Sequence, residues 1–136
     1  MSTHGEFVYD PHWLQDGRLA YVSLRGADIA EPMVVEAAPG MTPQPLLPRT
    51  GDKPLQVSDL AISPDGRHLL TGDMADVAIL WDVSRGEAIR RFQGDAVAVS
   101  PNSVCFGPNG KLALVGSGDA FGPSGARSLV LWDVES

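Results

Sequence analysis

Residues 60–94 read LAISPDGRHLLTGDMADVAILWDVSRGEAIRRFQG, and this stretch decides the fold. Short apolar or mixed runs alternate in it with turn-forming residues, a pattern that predicts strands joined by tight turns. The first turn, at 63–66, combines a proline that presets the backbone with an aspartate and a glycine that suit turn geometry. The pattern predicts four strands, over residues 60–62, 67–71, 77–81 and 87–92.

The last two predicted strands differ in character. Residues 77–81 (VAILW) are apolar on both faces, as in a strand packed between sheets, whereas residues 87–92 (EAIRRF) carry charges, as in an outer edge strand. A helix over residues 84–92, with Ser84 as its N-cap, is the alternative. It would be short and would hold Gly86 in its first turn, so the strand is favoured.

The same pattern recurs on both sides of this stretch. The turn pairs Asp16-Gly17, Asp65-Gly66 and Asn109-Gly110 follow one another at 49 and 44 residues, and Trp81-Asp82 returns as Trp132-Asp133. A period of roughly 40–45 residues with a closing Trp-Asp pair is typical of stacked four-stranded repeats. The sequence therefore divides into units over about residues 5–50, 51–94 and 95–136.

The first unit departs most from the pattern. It predicts a second strand over residues 18–23, a loop over 24–32, a third strand over 33–37 without Trp-Asp, and a fourth segment over 42–50. Three prolines interrupt that last segment. Because proline cannot donate to a strand ladder, the segment is expected at a sheet edge.

Residues 60–94 resemble a WD40 repeat in the SPDG turn at 63–66, in Trp81-Asp82 at the end of the third strand and in RGEAIRRFQG at 85–94. The first unit resembles the related TolB-type propeller repeat more closely. The resemblance implies an all-β fold, a β-propeller segment of about three four-stranded antiparallel blades whose last blade lacks its outer strand. On this basis we expect a binding or assembly module. Neither enzymatic activity nor a cofactor is expected, because the sequence shows no convergent set of titratable groups.

The resemblance assigns structural roles to a set of signature positions. Thr71 and Asp76 would connect Trp81 into a hydrogen-bonded network, although Gly94 is not followed by the histidine that often completes it. In the third unit no such partners of Trp132 are evident. The full set is Asp65, Gly66, Thr71, Asp76, Trp81, Asp82, Asn109, Gly110, Trp132 and Asp133.

The longest connection between a second and a third strand is that of the third unit, over residues 116–128. In WD40 propellers this connection lies on the face that usually contacts partners. Phe121 at its centre and Arg127 near its end are residue types found at binding hot spots, so they form a candidate partner-binding site. The loop at 24–32 is expected on the same face. The alternative is a slack loop with Phe121 tucked onto the blade.

Three blades share faces but do not close a ring, which propellers achieve with about 4–8 blades. We therefore expect a protein partner, either a second copy in a dimer that closes a six-bladed ring or blades from another chain. The segment over residues 5–9 would supply the missing outer strand. Two alternatives stay open: a fragment of a longer propeller whose enzymatic activity lies elsewhere, and an engineered propeller fragment.

Composition restricts the partners further. The net charge is −7 and the 10 basic residues are scattered, so neither nucleic acid nor an anionic membrane is expected as a partner. One cysteine excludes an internal disulfide. The sequence shows neither a signal-peptide pattern nor an apolar run of about 18 residues, and a cytoplasmic location is the default expectation.

Catalytic and metal-binding motifs do not occur in the sequence. HExxH, P-loop and GxSxG patterns are missing, and the three histidines lack metal-ligand spacing. Cys105 aligns with Ala61, which predicts a buried structural thiol. Asp73 and Asp76 are carboxylates in a turn, where solvated side chains are more typical than a bound cation.

Overall fold

The computed structural model describes residues 7–25, 29–36, 40–42, 44–45, 56–73, 77–92, 101–118 and 127–135. These residues form eleven β-strands in three antiparallel sheets and contain no helix. The first sheet comprises β1 (Phe7–Trp13), β2 (Arg18–Arg25), β3 (Ile29–Glu36) and β4 (Gln44–Pro45). The second comprises β5 (Val57–Ile62), β6 (His68–Asp73), β7 (Val77–Asp82) and β8 (Glu87–Phe92). The third comprises β9 (Pro101–Phe106), β10 (Leu112–Gly118) and β11 (Arg127–Asp133).

The second sheet contains the four strands that the sequence predicts, and the alternative helix over residues 84–92 is wrong. β8 lies at the edge of the sheet beside β7, and its residues alternate between exposed and half-buried positions before the buried Phe92. Gly86 precedes the strand at a φ of 66°, a left-handed conformation that breaks a helix. Within the ranges covered by the structure, no helix is long and apolar enough to cross a membrane.

The second sheet lies between the other two, because β5 contacts strands of the first sheet as well as β9 of the third. The first seam, between the first and second sheets, buries Leu14, Ala20, Val22, Val34, Val57, Leu60, Leu69, Ile79, Trp81 and Val83. The second seam, between the second and third sheets, buries Ala61, Leu70, Ala78, Leu80, Phe92, Val104, Ala113 and Val115. The second sheet therefore buries both faces, as the apolar run VAILW predicts.

The predicted loop over residues 24–32 is wrong at both of its ends, and its residues 26–28 lie outside the described residues. Leu24 and Arg25 extend β2, and β3 begins at Ile29, so the two strands pair as a hairpin that reaches from Arg18 opposite Glu36 to Arg25 opposite Ile29. Cross-strand pairing outweighs the low strand propensity of the Gly, Asp and Pro in LRGADIAEP. Residues 24–25 and 29–32 of the predicted loop are therefore strand.

The margins of the first sheet settle two further predictions. Gln44 and Pro45 pair with Val34 and Met33 at the edge of the sheet, which confirms the predicted edge position for these two residues; residues 43 and 46–50 of the predicted segment lie outside the described residues. The prediction that residues 5–9 complete the last blade is wrong for the part that the structure describes. Residues 7–9 begin β1 and pair with β2, because the adjacent strand is closer along the chain than any strand of the third sheet.

The third sheet has three strands among the described residues, in the order β9, β10 and β11. β10 runs to Gly118, which pairs with Arg127 at the start of β11. Five residues of the predicted loop, 116–118 and 127–128, are therefore strand. The candidate residue Phe121 lies outside the described residues.

Candidate interaction face

The turn before the second strand of each unit is built in the same way. An aspartate or asparagine accepts a hydrogen bond from the backbone N–H two residues on, which closes an Asx turn. These bonds join Arg18 N–H to Asp16 Oδ1 at 3.0 Å, Arg67 N–H to Asp65 Oδ1 at 3.0 Å and Lys111 N–H to Asn109 Oδ1 at 3.1 Å. The intervening Gly17, Gly66 and Gly110 take φ values of 85°, 69° and 71°. The signature residues at these positions therefore shape turns.

Hydrogen bonds lower the pKa of the turn carboxyls. For Asp65 the largest cause is the Ser63 hydroxyl, which donates to Oδ1 at 2.6 Å, and a backbone N–H adds to it. For Asp82, at the end of β7, the Ser84 hydroxyl donates at 2.6 Å and is again the largest cause. A lowered folded-state pKa stabilises the fold while the carboxyl is ionised. This contribution is present above the usual pKa of 3.8 and is lost as the pH falls through the lowered value.

Trp81, near the end of β7, is the largest fully buried side chain of the second sheet. Its side chain has no exposed surface, and its indole Nε1–H donates to the Thr71 hydroxyl at 2.9 Å. Thr71 is fully buried as well, so water does not compete for this bond. Asp76, the other predicted partner in this network, lies outside the described residues.

Trp132 occupies the same place in the third sheet as Trp81 in the second but lacks that hydrogen bond. By strand register, Val115 stands where Thr71 stands, and valine has no acceptor. The buried Nε1 of Trp132 has no hydrogen-bond partner among the residues described by the structure. Its ring packs against Phe92 with the centroids 5.0 Å apart. The adjoining Asp133 caps the turn that follows, accepting from the backbone N–H two residues on at 2.8 Å.

At both seams an aspartate of one sheet accepts a backbone hydrogen bond from the next sheet. Leu60 N–H donates to Asp10 Oδ2 at 2.9 Å in the first seam, and Val104 N–H donates to Asp59 Oδ2 at 2.7 Å in the second. Each aspartate stands six residues before the turn aspartate of its unit. We call this bond the inter-sheet clamp. The clamp was not predicted from the sequence, although the two aspartates share the 49-residue spacing of the first two turns.

Asp10 reaches the first seam from a β-bulge. The pairing of β1 with β2 shifts between Tyr9 and His12, and Asp10 takes a φ of 55°, which aspartate tolerates better than most residues. Its Oδ1 lies 2.7 Å from Nε2 of His12. The bulge therefore directs the carboxylate towards the second sheet with both oxygens engaged.

Burial at the second seam raises the pKa of Asp59 above its usual 3.8, and the neighbouring Asp10 carboxyl raises it further. The hydrogen bond from Val104 N–H acts in the opposite direction. Because the folded-state pKa is raised, the carboxyl favours folding when it is protonated. This contribution is complete below 3.8 and is lost as the pH rises through the folded-state pKa, the reverse of the turn carboxyls.

Asp59→Asn is therefore expected to stabilise the fold at neutral pH. The amide oxygen still accepts from Val104 N–H, while the negative charge next to Asp10 is gone. Urea unfolding of the wild type and the variant at pH 7 and below pH 3.8 checks this. The advantage of the variant should shrink at low pH, where Asp59 is protonated. A variant that is less stable than the wild type at pH 7 would contradict it.

A cleft of about 500 Å³ runs along β1, β5 and β9 beside the clamps. Asp10, His12 and Asp59 lie in its wall, together with Trp13, whose side chain is 67% exposed. In the part of the chain that the structure describes, no group of three or more His, Cys, Asp or Glu side chains is placed to hold a metal ion. The carboxylates of Asp10 and Asp59 in this wall accept the hydrogen bonds between the sheets.

The face of the third sheet that points away from the second sheet is apolar. Val104, Ala113 and Val115 fill the second seam, and the alternation along each strand turns their neighbours to the opposite side. On that side Leu129 is 71% exposed and Leu131 is 60% exposed. We call this surface the outer face; its members are Cys105, Leu112, Leu114, Leu129 and Leu131.

The predicted environments of Cys105 and Asp73 are wrong. Cys105 aligns with Ala61, but its thiol is exposed, because the third sheet covers Ala61 while nothing among the described residues covers the outer face. Asp73 is buried at the end of β6 and accepts from Gln56 N–H at 3.0 Å. Since β6 extends two residues beyond its predicted end, this carboxylate belongs to the sheet.

Residues 46–82 match the family model of the WD40 repeat, described as WD domain, G-beta repeat. The chain is 32% identical over 80 residues to small ribosomal subunit protein RACK1z of Oryza sativa subsp. japonica, an alignment that covers 59% of this chain and 21% of that protein. It is 34% identical over 76 residues to U3 snoRNP-associated protein-like EMB2271 of Arabidopsis thaliana, covering 56% and 14%. The chain thus spans about a fifth or less of the length of these relatives.

Among solved structures, the hydrazine synthase of Kuenenia stuttgartiensis superposes with a TM-score of 0.70 at 16% identity. The superposition covers 97% of this chain and 47% of that chain. At this identity the likeness concerns the fold alone. Together with the three antiparallel sheets, it confirms the predicted all-β segment of a β-propeller.

Proposed function

Because the chain carries WD40-like propeller repeats, we propose that it is a non-catalytic protein-interaction module that docks a further β-sheet on its outer face. The observation that carries the proposal is the exposure of Leu129 and Leu131, at 71% and 60%, on β11, which pairs with β10 along its whole length. A contiguous apolar surface on regular structure marks an interaction site.

The chain already uses the same kind of face inside its own fold. Strand register places Leu114 and Leu131 where Leu70 and Leu80 stand in the second sheet. Leu70 and Leu80 are only 0% and 1% exposed in the second seam. The outer face thus repeats a surface that the chain buries against another sheet, and a partner sheet with an apolar face would cover it in the same way.

The relatives support an assembly role by their names. One is named as a small ribosomal subunit protein and the other as associated with the U3 snoRNP. These names do not support the expected lack of a nucleic-acid partner, which stays a prediction. The cytoplasmic location also stays a prediction. Because this chain covers only 21% and 14% of these relatives, their partners are not assigned to it.

Replacing Leu129 and Leu131 together by lysine tests the docking function. Sedimentation velocity at rising protein concentration measures self-association. An apolar outer face should promote self-association even if its natural partner is another protein. The double variant is expected to need at least about tenfold higher concentration than the wild type to associate. The reactivity of the Cys105 thiol, which lies on the same face, should fall as the wild type associates.

Ile89→Lys is the matched control. Ile89 is an apolar residue, 52% exposed, on the edge strand β8 and away from the outer face. This variant should associate like the wild type. Equal association of the wild type and the double-lysine variant would contradict the docking function.

A further inference from the structure

The outer face carries only a weakened form of the inter-sheet clamp. Counted from the turn, Ser103 stands where Asp10 and Asp59 stand, six residues before Asn109. Its side chain is exposed. A serine hydroxyl can accept a backbone N–H, but its oxygen is bonded to Cβ and therefore ends one bond nearer the backbone than the carboxylate oxygens of Asp10 and Asp59.

The first sheet lacks the donor half of the clamp. The donors Leu60 and Val104 each stand one residue after the clamp position of their unit, and the corresponding residue of the first unit is Pro11. Proline has no backbone N–H. If the first sheet of a second copy covered the outer face as the third sheet covers the second, Ser103 would meet Pro11 and no clamp would form.

We infer that the outer face accepts a propeller blade of different sequence, one that offers a backbone N–H opposite Ser103, and that the first sheet of a second copy is not its partner. The inference rests on the proposed docking function and narrows the partner. It follows from continuity with the two seams of this chain, because both seams combine an apolar face with a clamp.

Supplying both halves of the clamp in the full chain tests the inference. Pro11→Ala provides an N–H and Ser103→Asn provides an amide oxygen with the reach of the clamp aspartates but without their charge, both at exposed positions. The double variant is expected to self-associate about two- to tenfold more tightly than the wild type in sedimentation velocity, the change that one neutral hydrogen bond supplies. Its Cys105 thiol should lose reactivity in the complex.

Ser103→Asn alone is the matched control and should associate like the wild type, because Pro11 still offers no N–H. The inference is overturned if the double variant associates no more tightly than this control. It is also overturned if the wild type already forms a tight complex of twice 14.4 kDa. Thermal unfolding verifies each fold, and Pro11→Gly replaces Pro11→Ala if the alanine variant does not fold.

The two proposals fail in different ways. When the double lysine change at Leu129 and Leu131 weakens association but the completed clamp does not strengthen it, the docking function stands and only the identity of the partner is wrong. When the lysine change has no effect on association, the docking function fails and takes this inference with it.

Discussion

Trp81→Ala is expected to cost about 3–5 kcal/mol of unfolding free energy. Trp81 is the largest side chain without exposed surface, and it packs in the first seam against residues of two sheets. Alanine leaves a cavity there and removes the donor to the Thr71 hydroxyl. A domain of this size has a total stability of about 5–15 kcal/mol, so the variant should retain only part of its folded population at moderate urea concentrations.

Trp132→Ala is the control at the matching position of the third sheet. It should cost less, because Trp132 is half-buried and its indole N–H makes no hydrogen bond among the described residues. Urea unfolding followed by far-ultraviolet circular dichroism measures both losses without depending on tryptophan fluorescence. Equal losses of unfolding free energy at the two positions would contradict the expectation that the complete burial of Trp81 makes its removal more costly.

The second sheet could be predicted because several local signals agree there. The SPDG turn, the apolar run before Trp81 and the charged run at 87–92 each specify one element, and β8 has the predicted bounds. The ends of β5 and β6 extend beyond their prediction, because Val57 pairs with Asp73 across the sheet. Aspartate disfavours strands on its own, so only the pairing reveals this extension.

The hairpin of β2 and β3 and the exposure of Cys105 depend on contacts that a local pattern does not contain. In LRGADIAEP the turn-forming residues suggest a loop, while the pairing of Arg25 with Ile29 makes strand out of its flanks. Cys105 has the same alignment as the buried Ala61, and the difference lies in whether another sheet covers it. Local sequence specifies which face of a strand a residue takes but not what lies against that face.

The inter-sheet clamps could be predicted in part from the sequence. The spacing of Asp10 and Asp59 repeats that of the first two turns and is visible in the sequence. Their partners, the N–H groups of Leu60 and Val104, are 50 and 45 residues away along the chain and meet them only when the sheets stack. The sequence repeat therefore reveals that the two aspartates occupy equivalent positions. That they accept hydrogen bonds between sheets is visible only in the structure.

Thr71→Val is expected to cost about 1–3 kcal/mol of unfolding free energy, because it leaves the buried indole N–H of Trp81 without an acceptor while the shape of the side chain is kept. The hydroxyl and the indole are both shielded from water, so no solvent molecule takes over the bond. Urea unfolding at neutral pH measures the loss. A cost well below about 1 kcal/mol would show that the bond adds little to the sheet.

Val115→Thr makes the reverse change at the third sheet and distinguishes the hydrogen bond from packing. The new hydroxyl would lie relative to Trp132 as Thr71 lies relative to Trp81, and so beside the Nε1–H of Trp132, which has no partner among the described residues. A gain of about 1 kcal/mol in unfolding free energy is therefore expected. If Thr71→Val and Val115→Thr both lower the unfolding free energy, the effect comes from altering a packed side chain. The hydrogen bond from tryptophan to threonine would then contribute less than the packing.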